Sequence, residues 1–275
     1  MALAALAMMS APASRAQMGG SQKSQQPQQQ PQTPPTTQPG QQPQNPPPAE
    51  PPKDPEEEKA YKAFYDTSVA EPDKIIELGV PFAQKYPNSR YVEQVYSRVT
   101  QAYYNKQNLP KMYEYGDRAL AIDANDVTVL TLIGWVIPHD TNQPNFDNQL
   151  KKAEGYEKRA LDKLATMEKP GPMTDEQFAK AKKEYTSQAH SGLGLVYFRE
   201  GKPADAVTEL KQAVENAATP DPTDYYVMGL QLQKLNKEAD AADAFGKCAA
   251  VANALQSRCK QSSEDAKKKA VSQPK

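Results

Sequence analysis

The residues able to do chemistry in this chain are few, and their spacing is the first thing to weigh. The two cysteines, Cys248 and Cys259, lie near the C-terminal end. On one unbroken helix from Ala239 to Lys269 they would stand ~16 Å apart at ~1.5 Å rise per residue. Bridged Cα atoms lie only ~4.4–6.8 Å apart, so such a helix forbids a bond. If the chain turns near Asn253, a disulfide pins a closing helix onto the preceding elements, although no Gly or Pro marks the turn. The other reading is a buried Cys248 with an incidental Cys259. No C-x-x-C is present, which removes zinc ribbons and thioredoxin-type redox pairs. His139-Asp140 has no third partner and reads as a polar loop, and His190 falls within a helical pattern and reads as a packing residue. The phosphate loop, nucleophile-elbow and zinc-protease motifs are missing. The expectation is a non-catalytic protein with no cofactor and no metal.

Charge narrows the partners further. There are 33 Lys and Arg against 34 Asp and Glu, for a net charge of −1. No global field favours nucleic acid, and the short basic patch DAKKKA near the C-terminus reads as part of a solvated tail, residues 263–275. Residues 1–16, MALAALAMMSAPASRA, are an apolar run followed by small residues. They read as the back half of a secretory signal peptide, or else as a plain N-terminus. No Lys or Arg precedes the run, as it would in a signal peptide whose start is complete. The run is too short to span a bilayer. Residues 17–55 are rich in Pro and Gln and cannot bury apolar surface, so they read as a disordered linker with polyproline tendencies. As a coil that segment spans ~30 Å, and fully extended ~100 Å.

From about residue 56 to 262 the pattern becomes helical, with short Gly, Asn or Pro breaks and no strand-like alternation. Leu193, Val196 and Tyr197 form one apolar stripe, and Ala206, Val207, Leu210, Ala213 and Val214 form another. Gly201-Lys202-Pro203 separates them, with Pro203 suited to a first helical turn. The pattern recurs 35 residues on: Gly194 becomes Gly229, Ala206 becomes Ala241, and Leu210 becomes Phe245. Upstream, a hairpin over Glu56–Ser89 and another over Glu93–Asp126 fit a similar period. A third starts at Val127, is interrupted by an insertion at 138–148, and resumes with Ala153 and Ala160. A long helix should start at Thr174, with Gln177 completing a capping box.

A two-helix unit with this period and these small and large positions resembles the tetratricopeptide repeat. The resemblance implies an all-α fold, an α-solenoid of about five antiparallel helical hairpins, preceded by a disordered N-terminal region. It implies that Gly194, Tyr197, Ala206, Leu210, Ala213, Gly229, Ala241 and Phe245 pack the repeats, with Gly194 facing Ala206 across a hairpin. In the second hairpin the sizes run the other way, Met112 standing where a small residue is expected and Gly116 where a large one is.

Stacked hairpins of this kind expose a long inner surface. The resemblance assigns to it Arg98, Gln101, Tyr104, Asn105, Trp135, Phe198, Arg199, Tyr226, Leu230 and Lys234. Aromatic residues, Arg and amides of this sort anchor protein interfaces. The carboxylate clamp of chaperone adaptors is absent, because Ser97, Thr131, Ser191 and Tyr226 occupy one of its rows and Gln101, Trp135, Leu195 and Leu230 another. The expected function is an exported, cell-envelope scaffold that holds a peptide or protein partner in the groove. The alternative is a structural protein whose end repeats stack on copies of itself.

Overall fold

The structure, a computed structural model, describes residues 54–272. The readings of 1–16 as a leader and of the linker up to residue 53 lie outside the described residues. Eleven α-helices fill the described part: α1 (Pro55–Tyr65), α2 (Pro72–Lys85), α3 (Val92–Asn105), α4 (Leu109–Ile122), α5 (Val127–Val136), α6 (Phe146–Thr166), α7 (Asp175–Arg199), α8 (Pro203–Asn216), α9 (Pro222–Lys234), α10 (Glu238–Ala249) and α11 (Gln256–Ser272). They pair as five successive hairpins from α1–α2 to α9–α10, and α11 closes the end. The protein is an all-α solenoid.

Local chemistry sets the helix boundaries. Proline enters the first turn of α1, α2, α4, α8 and α9, where a missing N–H costs nothing. Asp54, Asn108, Asp126, Thr174 and Asp221 accept from the orphan N–H groups of the following turn. Thr174 and Gln177 form the reciprocal capping box. Three hairpin turns share one geometry. Gln107 (φ 57°), Gly201 (φ 71°) and Asn236 (φ 57°) each take the left-handed conformation. The next residue then donates its N–H back into the helix, as Asn108 to Tyr103 O, Lys202 to Tyr197 O and Lys237 to Leu232 O, each at 2.9 Å.

Complementary sizes set the packing, although the pairing differs from the expected one. Gly194 does not face Ala206. A Cβ built on Gly194 would sit 2.6 Å from Leu210 Cγ. One repeat on, a Cβ on Gly229 would sit 2.5 Å from the Phe245 ring. The glycine of the first helix is therefore a socket for the large residue of the second, while Ala206 and Ala241, both fully buried, keep the second helix close at the next turn. Tyr197 packs against the middle of the solenoid and reaches Glu154 with its hydroxyl at 3.1 Å, and Ala213 is fully buried. The second hairpin follows the same logic with the partner exchanged: Gly116 on α4 receives Ile133 of α5, and Met112 fills the interior beside it.

The insertion after α5 begins as a 3-10 turn, Ile137–His139, and is tied to α4 by Gln143 Nε2 donating to the Tyr113 hydroxyl at 2.7 Å. Beyond it, α6 carries a further socket. Glu157 is fully buried between α5 and α7, against Gly134 and Gly192. Neither carboxyl oxygen has a hydrogen-bond partner. Burial pushes this carboxyl well above the usual range.

At the C-terminal end the chain does break. Asn253 makes the turn by donating from Nδ2 to Cys248 O (3.0 Å) and Val251 O (2.6 Å) and accepting from Leu255 N–H (2.6 Å). Cys248 and Cys259 are joined across it with Cα atoms 5.8 Å apart. The boundary drawn at 262/263 falls inside α11, because Cys259, Ser263 and Ala266 form its buried face and Ser263 Oγ donates to Ala242 O at 2.8 Å. The DAKKKA patch is the last part of a docked helix; Ala266 gives its start an anchor that a free tail would lack.

Two outcomes follow. Gly229→Ala should cost ~1–3 kcal/mol in urea unfolding through overpacking, and Phe245→Leu in the same chain should recover part of it; a fully additive pair would show that the socket is not shared. Removing the disulfide gives the unfolded chain more freedom, so Cys248→Ser with Cys259→Ser should lose up to about 3 kcal/mol, with hydrogen exchange rising first in α11.

Candidate partner groove

The inner face is identified by which helices touch. From α3 onward, the first helix of each hairpin packs on the first helix of the next: α3 on α5, α5 on α7, α7 on α9. The second helices do not pack on one another in this way. A stack whose one row is close-set and whose other row is splayed curves toward the close-set row, so α3, α5, α7 and α9 line the concave side.

Along that side runs a continuous aromatic wall. Tyr104 of α3 meets Trp135 of α5 edge to face, ring centroids 6.4 Å apart. Trp135 packs on both the middle and the C-terminal core, so it bridges the two halves of the solenoid. Phe198 and Leu230 continue the wall on α7 and α9, each half-buried. At the rim, Arg199 is exposed and its Nε donates to Pro138 O at 2.9 Å. Its guanidinium lies 5.3 Å from the Phe198 ring centroid, and Lys234 Nζ lies 5.8 Å from the same centroid. Asn105 is exposed at the end of α3, and Gln101 is half-buried one turn earlier.

One residue expected in the groove belongs elsewhere, and a second, half-buried, also serves the packing. Arg98 is buried, and its guanidinium donates to Phe64 O (3.2 Å), Tyr65 O (2.9 Å) and Thr67 O (2.7 Å). A cation at the C-terminal end of α1 satisfies carbonyls that the helix leaves open and meets the negative end of its dipole. It locks hairpin to hairpin rather than waiting for a partner. Tyr226 tilts onto Phe245, with ring centroids 5.7 Å apart, and so supports the glycine socket of α9.

His139, expected to be a plain loop residue, joins the wall. Its ring lies 4.1 Å from the Trp135 ring, and Nδ1 bonds Trp135 O at 2.7 Å. A carbonyl only accepts, so Nδ1 carries the proton. Desolvation lowers its pKa and Arg199 pushes the same way, against the Trp135 carbonyl and Asp221. A signal was present in the sequence: His139 stands 34 residues after Asn105, one repeat on, just as Lys234 stands 35 after Arg199. His190 instead pairs with Glu209 at 2.6 Å between α7 and α8.

At the opposite edge of the groove several carboxyls are pushed above the usual carboxylate range. Ser191 Oγ donates to Asp224 Oδ1 at 2.7 Å, both residues buried. Burial pushes the Asp224 carboxyl up to about 7, with the Ser191 bond opposing and Asp221 adding to the rise. Glu93 of α3 and Asp126, the N-cap of α5, repeat the theme: burial raises both, Glu93 to about 8 with the nearby Asp126 adding to the rise. Ser97, Thr131 and Ser191 are buried, so that row offers no clamp to a ligand. Among the described residues no group of three or more His, Cys, Asp or Glu is arranged to hold a metal ion. No helix among them is long and apolar enough to cross a membrane.

No family model matches the chain, and no curated protein matches it. Among solved structures it is similar to a thermophilic TPR protein of Thermus thermophilus, at 14% identity and a TM-score of 0.47, covering 75% of this chain and 98% of that one. It is also similar to a tetratricopeptide repeat protein of Parabacteroides merdae, at 10% identity and a TM-score of 0.32, covering 76% and 98%.

The raised carboxyls set a pH dependence. A group whose pKa is higher folded than unfolded stabilises the fold fully below its unfolded value, ~4 for Asp, and loses that contribution as pH rises through the folded value. For Asp224 the window runs from ~4 to about 7. The urea midpoint should therefore fall between pH 5 and pH 8, and Asp224→Asn, which keeps an acceptor for Ser191, should flatten that fall. An equally steep fall in the variant would assign it to other groups.

Proposed function

We propose that this protein is a non-catalytic scaffold whose concave groove holds a segment of a partner protein. The observation that carries this reading is the aromatic wall from Tyr104 through Trp135 to Phe198, half-buried and edged by exposed Arg199 and Lys234. Side chains of these types, rigid and already desolvated along one side, give up little conformational freedom on binding and are those on which interface energy concentrates. The solved TPR proteins it is similar to are too distant to assign a partner.

The site of action in this reading is outside the cytosol, in the cell envelope. Two features support it. The Cys248–Cys259 bond suits an oxidising compartment, and the sequence of residues 1–16 reads as a leader. The self-stacking alternative is weaker at the C-terminal end, because α11 covers that end and exposes Arg258, Lys260, Lys267 and Lys268. A face of that kind is solvated rather than open to another hairpin.

A photo-crosslinking side chain placed at Asn105, in the groove, should capture a discrete partner in envelope fractions. The same side chain at Lys211, exposed on α8 of the outer row, should not. Trp135→Ala should cut capture by Asn105 at least about tenfold, the scale of one interface anchor. Equal capture from both positions, or no change in the Trp135 variant, would place binding elsewhere.

A further inference from the structure

The groove wall carries two cations that no acid among the described residues pairs, and their geometry names the chemistry of what they meet. We infer that the rim over α7 and α9 receives carboxylate side chains from an acidic partner segment in which Asp or Glu alternates with Phe, Leu or similar residues. This rests on the groove being the binding surface.

Arg199 and Lys234 make no ion pair among the described residues. The neighbouring acids are occupied. Glu200 pairs with Lys202 at 2.7 Å, Glu238 accepts from Gln233 at 3.0 Å, and Asp221, whose charge reaches Tyr104 and His139, is engaged as the N-cap of α9 with Thr223 N–H at 2.8 Å. An exposed lysine without a partner is ordinary by itself. Here two cations from different helices converge on a single ring, Phe198, on the inner face. The Pro138 carbonyl holds Arg199 by Nε at 2.9 Å, which fixes the plane of the guanidinium and leaves its Nη fork for a bidentate carboxylate. His139 beside it closes the site with its ring against Trp135.

The surroundings decide against a bare anion. Trp135, Phe198 and Leu230 flank the cations, so an occupant that satisfied only the charges would leave apolar surface wet. At the opposite edge burial raises the Asp224, Glu93 and Asp126 carboxyls above the usual range. Those groups therefore oppose an acidic chain in the groove less than ordinary carboxylates would, and Asp221 is the acid whose charge reaches the wall. The net charge of −1 argues against a nucleic-acid backbone, which needs many phosphate contacts rather than two.

The test is to pan a displayed library of random peptides on the full chain and measure the recovered peptides by fluorescence anisotropy. The expected result is enrichment of peptides that combine Asp or Glu with Phe, Leu or Trp. Their binding should fall about tenfold when the peptide's Glu is changed to Gln, and similarly in Arg199→Gln or Lys234→Gln chains, and should weaken as salt rises. Both protein substitutions are at exposed positions, and matched thermal melts confirm that the fold is intact. Peptides that require Trp135 but are neutral or basic, or that ignore Arg199→Gln and Lys234→Gln, would overturn the acidic-partner inference and leave the groove standing. Recovery of no peptide that depends on Trp135 would overturn both.

Discussion

The architecture depends on the meeting of a missing side chain with a large one. Gly194 accepts Leu210, Gly229 accepts Phe245, Gly116 accepts Ile133, and Gly79 accepts Phe64 and Val99. Each glycine weakens its own helix by roughly 1 kcal/mol relative to alanine. Each also brings two helix axes close enough for the surrounding apolar side chains to reach close packing. Two sockets close a hairpin on itself, Gly194 of α7 on Leu210 of α8 and Gly229 of α9 on Phe245 of α10, while Gly116 with Ile133 and Gly79 with Val99 join one hairpin to the next. Replace the sockets by ordinary side chains and the helices would still form; their spacing would not be held.

The same constraint explains the buried acids. Glu157 fills the place between Gly134 and Gly192, where two glycines face a third helix and no side chain of their own closes the gap. A carboxyl can occupy that position only as an acid, since an ion without a partner would carry the full desolvation cost. Asp224 and the Glu93–Asp126 pair are held in a related state near the starts of α9 and α5, where Ser191 or a capped N-terminus supplies part of their hydrogen bonding. The concave side thus combines an edge of raised carboxyls with a cationic edge.

Much of this was legible in the sequence, and the gaps have physical causes. The 35-residue spacing of Gly194 and Gly229, the turn at Gly201-Lys202-Pro203 and the Thr174–Gln177 cap are local or periodic features, and periodicity exposes which residues share a face. The identity of the facing residue is different, because it depends on the rotation of one helix against another. That is why Gly194 read as the neighbour of Ala206 when it holds Leu210. Arg98 was misread for a related reason: its position matches a groove row, but its long side chain reaches the open carbonyls of α1 from there. The turn at Asn253 carried no Gly or Pro, and a side chain that bonds backbone on both sides did their work. His139 was hidden because it lies within the insertion, although its spacing from Asn105 placed it one repeat on from a groove residue.

Trp135 shows why structure and recognition are hard to separate in such a stack. Its ring contributes to two cores at once, supports His139 and meets Tyr104, so it holds the inner face in shape. A purely structural indole would be sealed in; this one stays half-buried beside a charged rim. The part of the ring already packed has lost its rotational freedom during folding. An occupant of the groove therefore gains contact with a fixed surface without ordering it first. Arg199 is prepared in the same manner by the Pro138 carbonyl. The insertion after α5 supplies that carbonyl, and with it the orientation of a side chain two helices further along the chain. The irregularity in the repeat is thus what gives the middle of the groove a geometry that a perfectly regular stack would lack.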